Sequence, residues 1–126
     1  SHNYQIACEE FKKVFTDAVE LRLRADVPVG SCLSGGLDSS SIVSIMSNIL
    51  DKKQAKHLLS TFSACSHYKD FDEKEYIDEV VNSTHATPNY CYPELDELFD
   101  INDRITWHQD EPFGSTSIYA QWSVFE

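Results

Sequence analysis

Apolar and polar positions alternate along the chain in two rhythms, one typical of helices and one typical of short buried strands. Between residues 4 and 24, apolar side chains recur every three or four positions, which predicts a helix over 4–24. This helix is expected to end before Pro28, because a residue that precedes proline is disfavoured in helical geometry. The apolar positions of the stripe are Tyr4, Ala7, Phe11, Val14, Phe15, Ala18, Leu21 and Leu23.

A short apolar run follows this helix. Residues 29–33, VGSCL, are small and apolar and lie between a proline and two glycines, which predicts a buried strand. The segment 34–40, SGGLDSS, then leads into a second run with helical spacing. This second helix is expected to place four apolar residues on one face, namely Ile42, Ile45, Met46 and Ile49.

The same order of strand and helix recurs further along the chain. Residues 57–65 are rich in strand-forming residues, and Asp72 with Glu75 has the spacing of a capping box before a third helix. Residues 88–93 are a third, short strand candidate. Strands that alternate with helices of ten or more residues predict an α/β domain with a parallel sheet and crossover helices on its faces.

Two further helices complete the pattern. Pro93 is suited to the first turn of a fourth helix, and Ser115 is a candidate cap for the last one. The last helix carries Tyr119, Trp122 and Phe125 up to the final residues without a stop signal. We therefore expect residues 1–126 to be one truncated domain, whose exposed sheet edge and last helix would be covered by self-association into a homo-oligomer.

Composition narrows the class of protein. With 10 Lys and Arg against 21 Asp and Glu, the net charge of −11 disfavours binding to nucleic acid, which requires clustered cations. The apolar runs are too short for a membrane span, and the N-terminus does not have the pattern of a secretory signal, so a cytoplasmic location is expected. The four cysteines lack zinc-site spacing and are expected to be inert packing residues.

The segment 34–40 has the chemistry of a phosphate-binding loop. Ligands of open parallel sheets bind beyond the carboxyl ends of the strands, and this segment directly follows the first predicted strand. Gly35 and Gly36 permit backbone angles and close approaches that a side chain would prevent. Successive amides at the start of the next helix can then form an anion-binding nest, to which the hydroxyls of Ser34, Ser39 and Ser40 add donors.

Asp38 distinguishes this segment from other glycine-rich loops. No lysine follows the glycines as in a Walker A loop, and the G-x-G-x-x-G pattern of dinucleotide-binding folds is absent. An acid among phosphate-binding amides is explained if it holds Mg²⁺, which prefers carboxylate and phosphate oxygens. The alternative is an ordinary strand-to-helix turn in which Asp38 or Ser39 caps the helix. The loop chemistry alone leaves both interpretations open.

Longer stretches of the sequence resemble a known family. SGGLDSS resembles the pyrophosphate-binding loop of the ATP pyrophosphatases, and residues 21–45, LRLRADVPVGSCLSGGLDSSSIVSI, resemble the synthetase domain of glutamine-hydrolysing asparagine synthetases. Residues 109–122, QDEPFGSTSIYAQW, are similar to a later acidic segment of that family, and the resemblance covers roughly residues 9–126. It implies an adenine nucleotide alpha hydrolase-like fold of the PP-loop ATP pyrophosphatase type, with ATP and Mg²⁺ as ligands.

The resemblance also implies a reaction. The side-chain carboxylate of an aspartate-like substrate attacks the α phosphate of ATP, which gives a β-aspartyl-adenylate and pyrophosphate. Ammonia, released from glutamine by a separate glutaminase domain, then displaces AMP to form asparagine. This domain, the family's second glycine-acid loop and a later lysine are absent from the chain. We therefore expect the 126 residues to be inactive as a ligase and, at best, to bind ATP-Mg²⁺ or pyrophosphate weakly.

Site residues follow from the resemblance by position. Asp38 is implied to be the metal ligand, and the adenine and ribose are implied to contact mostly backbone groups of Leu33, Ser63 and Ala64. The pyrophosphate is implied to bind at the loop residues Ser34, Gly35, Gly36, Asp38, Ser39 and Ser40.

The acidic segment supplies two candidate catalytic residues. Glu111, ahead of Asp110, could be a second magnesium ligand or the base that takes a proton from ammonia. The alternative is a polar turn before a helix start, where acids are favoured. His108 is expected to pack against a neighbour and not to act in catalysis.

Two other functions remain open at this point. One is a related ligase that forms a β-lactam or another amide, since residues within this chain separate the acceptors poorly. The other is a non-catalytic module that keeps the loop only as a structural turn. RNA-thiolating relatives are disfavoured by the charge of −11 and by the absence of a catalytic cysteine pair.

Overall fold

The computed structural model describes residues 2–25 and 27–126 of the chain. Asp26, within the first segment that resembles the synthetases, lies outside the described residues. Two short 3₁₀ turns occupy Lys56–Leu58 and Lys69–Phe71. The regular elements, in chain order, are α1 (His2–Arg22), β1 (Gly30–Cys32), α2 (Leu37–Lys52), β2 (Ser60–Ala64), α3 (Lys74–Thr84), β3 (Thr87–Cys91), α4 (Leu95–Gln109) and α5 (Thr116–Phe125).

The three strands form one parallel sheet in the order β1-β2-β3. Gly30 is in register with Ser60, and Ser60 with Thr87, so the strands are aligned and their carboxyl ends lie at the same edge. The helices between the strands are the crossover connections that parallel pairing requires. The predicted α/β class with a parallel sheet is confirmed.

The hydrophobic core lies between the sheet and helices α2 and α3. Its fully buried side chains include Leu33, Val43, Leu59 and Ile77. In α2 the predicted apolar face is buried at Met46 and Ile49 and half-buried at Ile42 and Ile45, because this face lies against the core. Helix α5 contacts β2 and β3, and its Tyr119 is buried.

The fold buries only part of the predicted apolar stripe of the first helix. Tyr4, Phe11, Val14 and Leu21 are all exposed. Helix α1 packs on α2 and the core through Val19, which is buried, and through two members of the stripe, Phe15 and Leu23, which are half-buried. The prediction of a helix is confirmed, with the element at His2–Arg22 in place of 4–24.

Several element ends differ from the sequence-based expectation. The first strand is Gly30–Cys32, shorter than 29–33, and the third begins at Thr87 and ends before Tyr92. Pro93 does not lie in the first turn of α4, because the capping residue is Glu94 and the helix begins only after it. Ser115 does cap α5, since its Oγ accepts a hydrogen bond from the amide of Ser117 at 3.2 Å.

The cysteines divide into two groups. Cys8 and Cys32 are exposed, whereas Cys65 is buried and Cys91 half-buried, and all four are free thiols. Burial raises the pKa of the Cys65 and Cys91 thiols, so they stay protonated at neutral pH. Exposure of Cys32 corrects the expectation that a strand cysteine packs inside. Within the residues described, no helix has both the length and the apolar character needed to cross a bilayer.

Candidate functional site

The loop after β1 starts from a backbone that is fixed to the central strand. The amide of Leu33 donates to the carbonyl of Phe62 at 2.9 Å, and the hydroxyl of Ser63 donates to the carbonyl of Leu33 at 2.6 Å. The side chains of Leu33 and Ser63 are both buried. Both side chains, together with the amide and the carbonyl of Leu33, are therefore used inside the protein to hold the start of the loop.

Two serine hydroxyls hold the loop in shape. The amide of Ser34 donates to Ser39 Oγ at 3.2 Å, and the two hydroxyls lie 3.1 Å apart. The amide of Gly36 donates to Ser34 Oγ at 3.4 Å, and Ser39 Oγ donates to the carbonyl of Gly36 at 3.3 Å. Ser34 and Ser39 thus close the loop on itself, a structural role that the sequence did not reveal.

The two glycines of the loop differ in backbone conformation and in the space beside them. Gly35 has a φ of +82°, and a Cβ added there would lie 2.8 Å from the Cβ of Tyr76 and 3.4 Å from the carbonyl oxygen of Glu73. Only glycine fits this position, because the loop packs directly on the first turn of α3. Gly36 has an ordinary φ of −69°, and the nearest atom to an added Cβ is Ser34 Oγ at 3.4 Å.

The start of α2 presents unpaired hydrogen-bond donors. The first helical bond runs from the amide of Ser40 to the carbonyl of Gly36 at 3.0 Å. In the described part of the chain, the amides of Leu37, Asp38 and Ser39 have no acceptor. The hydroxyl of Ser40 is buried and likewise has no partner there. Free amides at the positive end of a helix of 16 residues are suited to an anion such as a phosphate group.

Asp38 lies in this first helical turn with an exposed side chain. Among the residues that the structure describes, no group of three His, Cys, Asp or Glu side chains is placed to hold a metal ion. Mg²⁺ commonly binds through one or two carboxylates together with phosphate oxygens and waters. Asp38 therefore fits a magnesium ion that is brought by a phosphate ligand, and does not fit a metal site made by the protein alone.

A polar cluster braces the helix on which the loop rests. The hydroxyl of Tyr90 on β3 donates to Asp78 Oδ1 at 2.6 Å, and Lys74 pairs with Asp78 Oδ2. The hydrogen bonds from Lys74 and then from Tyr90 lower the pKa of the Asp78 carboxyl, while burial and then Asp78 raise the pKa of Tyr90 to about 12. Our sequence reasoning missed this cluster, although the Lys74–Asp78 spacing of four residues on a helix is a visible signal.

The candidate catalytic acids are not joined to the loop. Asp110 ends α4 with a φ of +61°, in the left-handed region that helix ends often adopt, and its side chain and that of Glu111 are exposed. No hydrogen bond or ion pair of the described residues connects either acid to the loop. The ring of His108 lies 5.4 Å from that of Trp122, which gives His108 a packing role as expected.

A cavity of about 610 Å³ opens beside the carboxyl ends of β2 and β3. Its volume lies in the range of small-molecule sites. Tyr119 is fixed in its wall, since its hydroxyl donates to the carbonyl of Glu94 at 2.7 Å. Of the three residues expected near the adenine, only Ala64 faces this space. The lining residues are Ala64, Cys65, Ser66, Tyr68, Pro93, Thr116, Tyr119 and Ala120.

Comparisons with known proteins agree on one family. The family model described as asparagine synthase matches residues 10–126. The chain is 40% identical, over 94% of its length, to a putative glutamine-hydrolysing asparagine synthetase 2 of Methanocaldococcus jannaschii, of which it covers 22%. It is 33% identical, over 92% of its length, to the glutamine-hydrolysing asparagine synthetase 1 of Bacillus subtilis, of which it covers 17%. The chain thus spans about a fifth of the length of the curated relatives it matches.

Proposed function

The chain belongs to the asparagine synthase family, and from this we propose that it is the ATP-binding part of an amide-forming ligase. The observation that carries the proposal is the group of unpaired amides of Leu37, Asp38 and Ser39 at the start of α2. The same helical turn carries the exposed acid Asp38 and the buried, partnerless hydroxyl of Ser40. This set of donors suits the pyrophosphate half of ATP.

The proposed chemistry is attack on the α phosphate of ATP by the side-chain carboxylate of an aspartate-like substrate. The new bond joins carboxylate and phosphorus, the bond to pyrophosphate breaks, and an acyl-adenylate remains. The loop amides and the hydroxyl of Ser40 would stabilise the charge that develops on the departing pyrophosphate. Mg²⁺ held by Asp38 and the phosphates would supply further positive charge at the same place.

Amidation would complete the reaction in the whole protein. Ammonia attacks the acyl carbon and AMP leaves, and in this proposal Glu111 is the candidate base, ahead of Asp110. The matched relatives are named as glutamine-hydrolysing enzymes, so a glutaminase domain on the parent chain is the proposed source of ammonia. An amide ligase with another acceptor carboxylate, including one that forms a β-lactam, would use the same loop chemistry.

The competing function is a non-catalytic module in which the loop is only a turn. The closed hydrogen bonds between Ser34 and Ser39 are compatible with that function. An acid in the first helical turn is also favoured in an ordinary turn, so the position of Asp38 is compatible with both functions. Nucleotide affinity that depends on Asp38 separates the two functions.

The test is calorimetric titration of the chain with ATP, with and without Mg²⁺, beside the variant Asp38→Ala. We expect binding with a dissociation constant on the order of millimolar, dependent on Mg²⁺, and lost in the variant. Asp51→Ala is the matched control, because Asp51 is an exposed acid in the last turn of the same helix. Equal ATP affinity in all three proteins, or affinity without Mg²⁺, would contradict the proposed metal role of Asp38.

A further inference from the structure

The polar cluster of Lys74, Asp78 and Tyr90 joins β3 to the beginning of α3. The hydroxyl of Tyr90 donates to Asp78 Oδ1 at 2.6 Å, and Lys74 Nζ pairs with Asp78 Oδ2. The same ammonium group lies 4.7 Å from the centroid of the Tyr90 ring. Each of the three side chains therefore contacts the other two, and the cluster ties this end of α3 to the sheet.

The loop of residues 34–40, which we call the phosphate loop, rests on the same end of α3. A Cβ added to Gly35 would lie within 3.4 Å of three atoms of residues 73–77, the nearest being the Cβ of Tyr76 at 2.8 Å. Lys74 belongs to this stretch, and Asp78 directly follows it. The polar cluster and the phosphate loop thus hold to the same stretch of backbone.

The apolar contacts of α3 attach the helix to the core without directing its first turn. Ile77 is 1% exposed, and Val80 and Val81 are half-buried against the core. The hydrophobic effect that holds these side chains is non-directional. Hydrogen bonds, by contrast, depend steeply on distance and angle. The polar cluster is therefore the directional support of this end of the helix.

Anion binding by the phosphate loop depends on where its backbone lies. The amides of Leu37, Asp38 and Ser39 follow Gly35 closely and have no acceptor in the described part of the chain. Groups that bind a ligand must be held within about 0.5 Å of their productive positions by the residues around them. The hydrogen bonds between Ser34 and Ser39 fix the internal shape of the loop, and the contact of Gly35 with α3 supports its position.

We propose that Tyr90 and Asp78 are positioning residues for the phosphate loop. Through the first turn of α3, their hydrogen bond holds Gly35, and with it the free amides, where a pyrophosphate group can bind. Pyrophosphate as the ligand is taken from the proposed function, whereas the position of the loop does not depend on it. The alternative is a purely structural cluster, which would contribute stability and leave the loop unaffected.

Glycine signals in two-dimensional NMR measure the position of the loop in the free chain. The sequence has four glycines, namely Gly30, Gly35, Gly36 and Gly114, so isotopic labelling of glycine nitrogen gives a spectrum in which they are easily separated. In Tyr90→Phe and in Asp78→Ala, we expect the signals of Gly35 and Gly36 to shift in the same direction, because both variants release the same turn of α3. Gly114 should not shift.

Titration with inorganic pyrophosphate and Mg²⁺ measures the consequence for binding. At a temperature at which every protein is folded, we expect Tyr90→Phe and Asp78→Ala each to weaken the affinity about three- to tenfold. The double variant should lose no more affinity than Asp78→Ala alone, because both substitutions break the same contact.

Thr84→Val is the matched control on the same helix. Thr84 is buried at the opposite end of α3, and its hydroxyl donates to the carbonyl of Val80 at 2.7 Å. Loss of this hydroxyl should lower the melting temperature, as loss of the Tyr90 hydroxyl should. It should nevertheless leave the glycine signals and the pyrophosphate affinity unchanged.

Three results would overturn the proposal. The first is a loop whose Gly35 and Gly36 signals stay at their wild-type positions in both cluster variants. The second is shifted signals with unchanged affinity in a chain that binds pyrophosphate. The third is a change of equal size in Thr84→Val, since a general loss of stability would then explain it. A wild-type chain that does not bind pyrophosphate, with shifted signals in both cluster variants, would reject the proposed ligand and support the positioning role.

Discussion

Gly35 and Gly36 are neighbours in the loop, yet only Gly35 has a backbone conformation that requires glycine. Gly35 combines a left-handed φ with direct contact to Tyr76, whereas Gly36 has a φ that any residue adopts. The sequence predicted glycines for a tight approach but could not say which of the two requires it. That distinction depends on α3, which is distant in sequence and packs against only one of them.

At the residue scale, replacing the two glycines by alanine should therefore have different effects. Gly35→Ala should mainly lower stability, and Gly36→Ala should mainly lower pyrophosphate affinity. Gly35→Ala should lower the free energy of unfolding by about 1–3 kcal/mol, through backbone strain and the contact with Tyr76. Gly36→Ala should cost less than about 1 kcal/mol. We nevertheless expect it to weaken pyrophosphate binding, because the new methyl group would stand beside Ser34 Oγ in the loop that precedes the free amides.

Urea unfolding and a pyrophosphate titration of both glycine variants make this comparison. Equal losses of stability would show that the loop does not rest on α3 as described. Unchanged pyrophosphate affinity in Gly36→Ala would show that the anion approaches from another side.

The serine hydroxyls illustrate the limit of sequence reasoning at the same scale. Ser34, Ser39 and Ser40 were all expected to donate to phosphate. Ser34 and Ser39 are instead engaged with the loop itself, and only the Ser40 hydroxyl has no partner among the residues described. A hydroxyl group can serve either purpose, and its partner is set by the three-dimensional course of the chain.

At the element scale, periodicity predicted most helices and strands because burial of one face fixes the spacing of apolar residues. It predicted α1 as a helix without showing which of its apolar residues face the core, and it misplaced the start of α4, where Pro93 precedes the cap. The polar cluster of Lys74, Asp78 and Tyr90 on α3 and β3 was also not predicted. Tyr90 contributes its ring to the sheet and its hydroxyl to Asp78, and the partner of a buried tyrosine hydroxyl cannot be identified from sequence.

The polar cluster of Lys74, Asp78 and Tyr90 predicts how the stability of the protein depends on Asp78 and on pH. Asp78→Asn should destabilise the protein at neutral pH, by about 0.5–1 kcal/mol for a partly exposed pair. The pKa of Asp78 is lowered in the folded protein, so its contribution is present above the ordinary carboxyl range and is lost as the pH falls through that range. The difference between wild type and variant should therefore shrink at acid pH.

Thermal unfolding measured from neutral pH down to the acid range checks this prediction. Glu79→Gln is the control on the same helix, because Glu79 is exposed and is not among the recorded ion pairs. A gap between Asp78→Asn and wild type that stays constant at acid pH would exclude a charged Asp78 as its cause.

At the scale of the whole molecule, the sequence predicted the α/β class and the parallel sheet, because short apolar runs alternate with helices. It could not predict where Asp110 and Glu111 lie relative to the loop. Their position depends on how α4 and α5 pack beside β2 and β3, and no local pattern encodes that packing. Their catalytic role therefore remains a prediction.

The charge of the whole chain leads to a further expectation. The ion pairs of the described residues involve partly exposed side chains, so they stabilise the fold weakly, whereas a net charge of −11 repels itself throughout. Raising sodium chloride from low to physiological concentration should increase the melting temperature by a few degrees, about the effect of 1 kcal/mol in a domain of this size. Calorimetry across a salt series measures it, and a falling melting temperature would show that attractive pairs dominate.

The hydrogen bond from Ser63 to the carbonyl of Leu33 joins residues that are 30 positions apart. The backbone that begins the loop is thus completed by a strand that is synthesised later, and Gly35 is supported by a helix that is synthesised later still. During translation the glycine-serine segment leaves the ribosome well before these supports. A nascent chain consequently acquires the hydrogen bonds and contacts that fix this loop only after α3 has emerged.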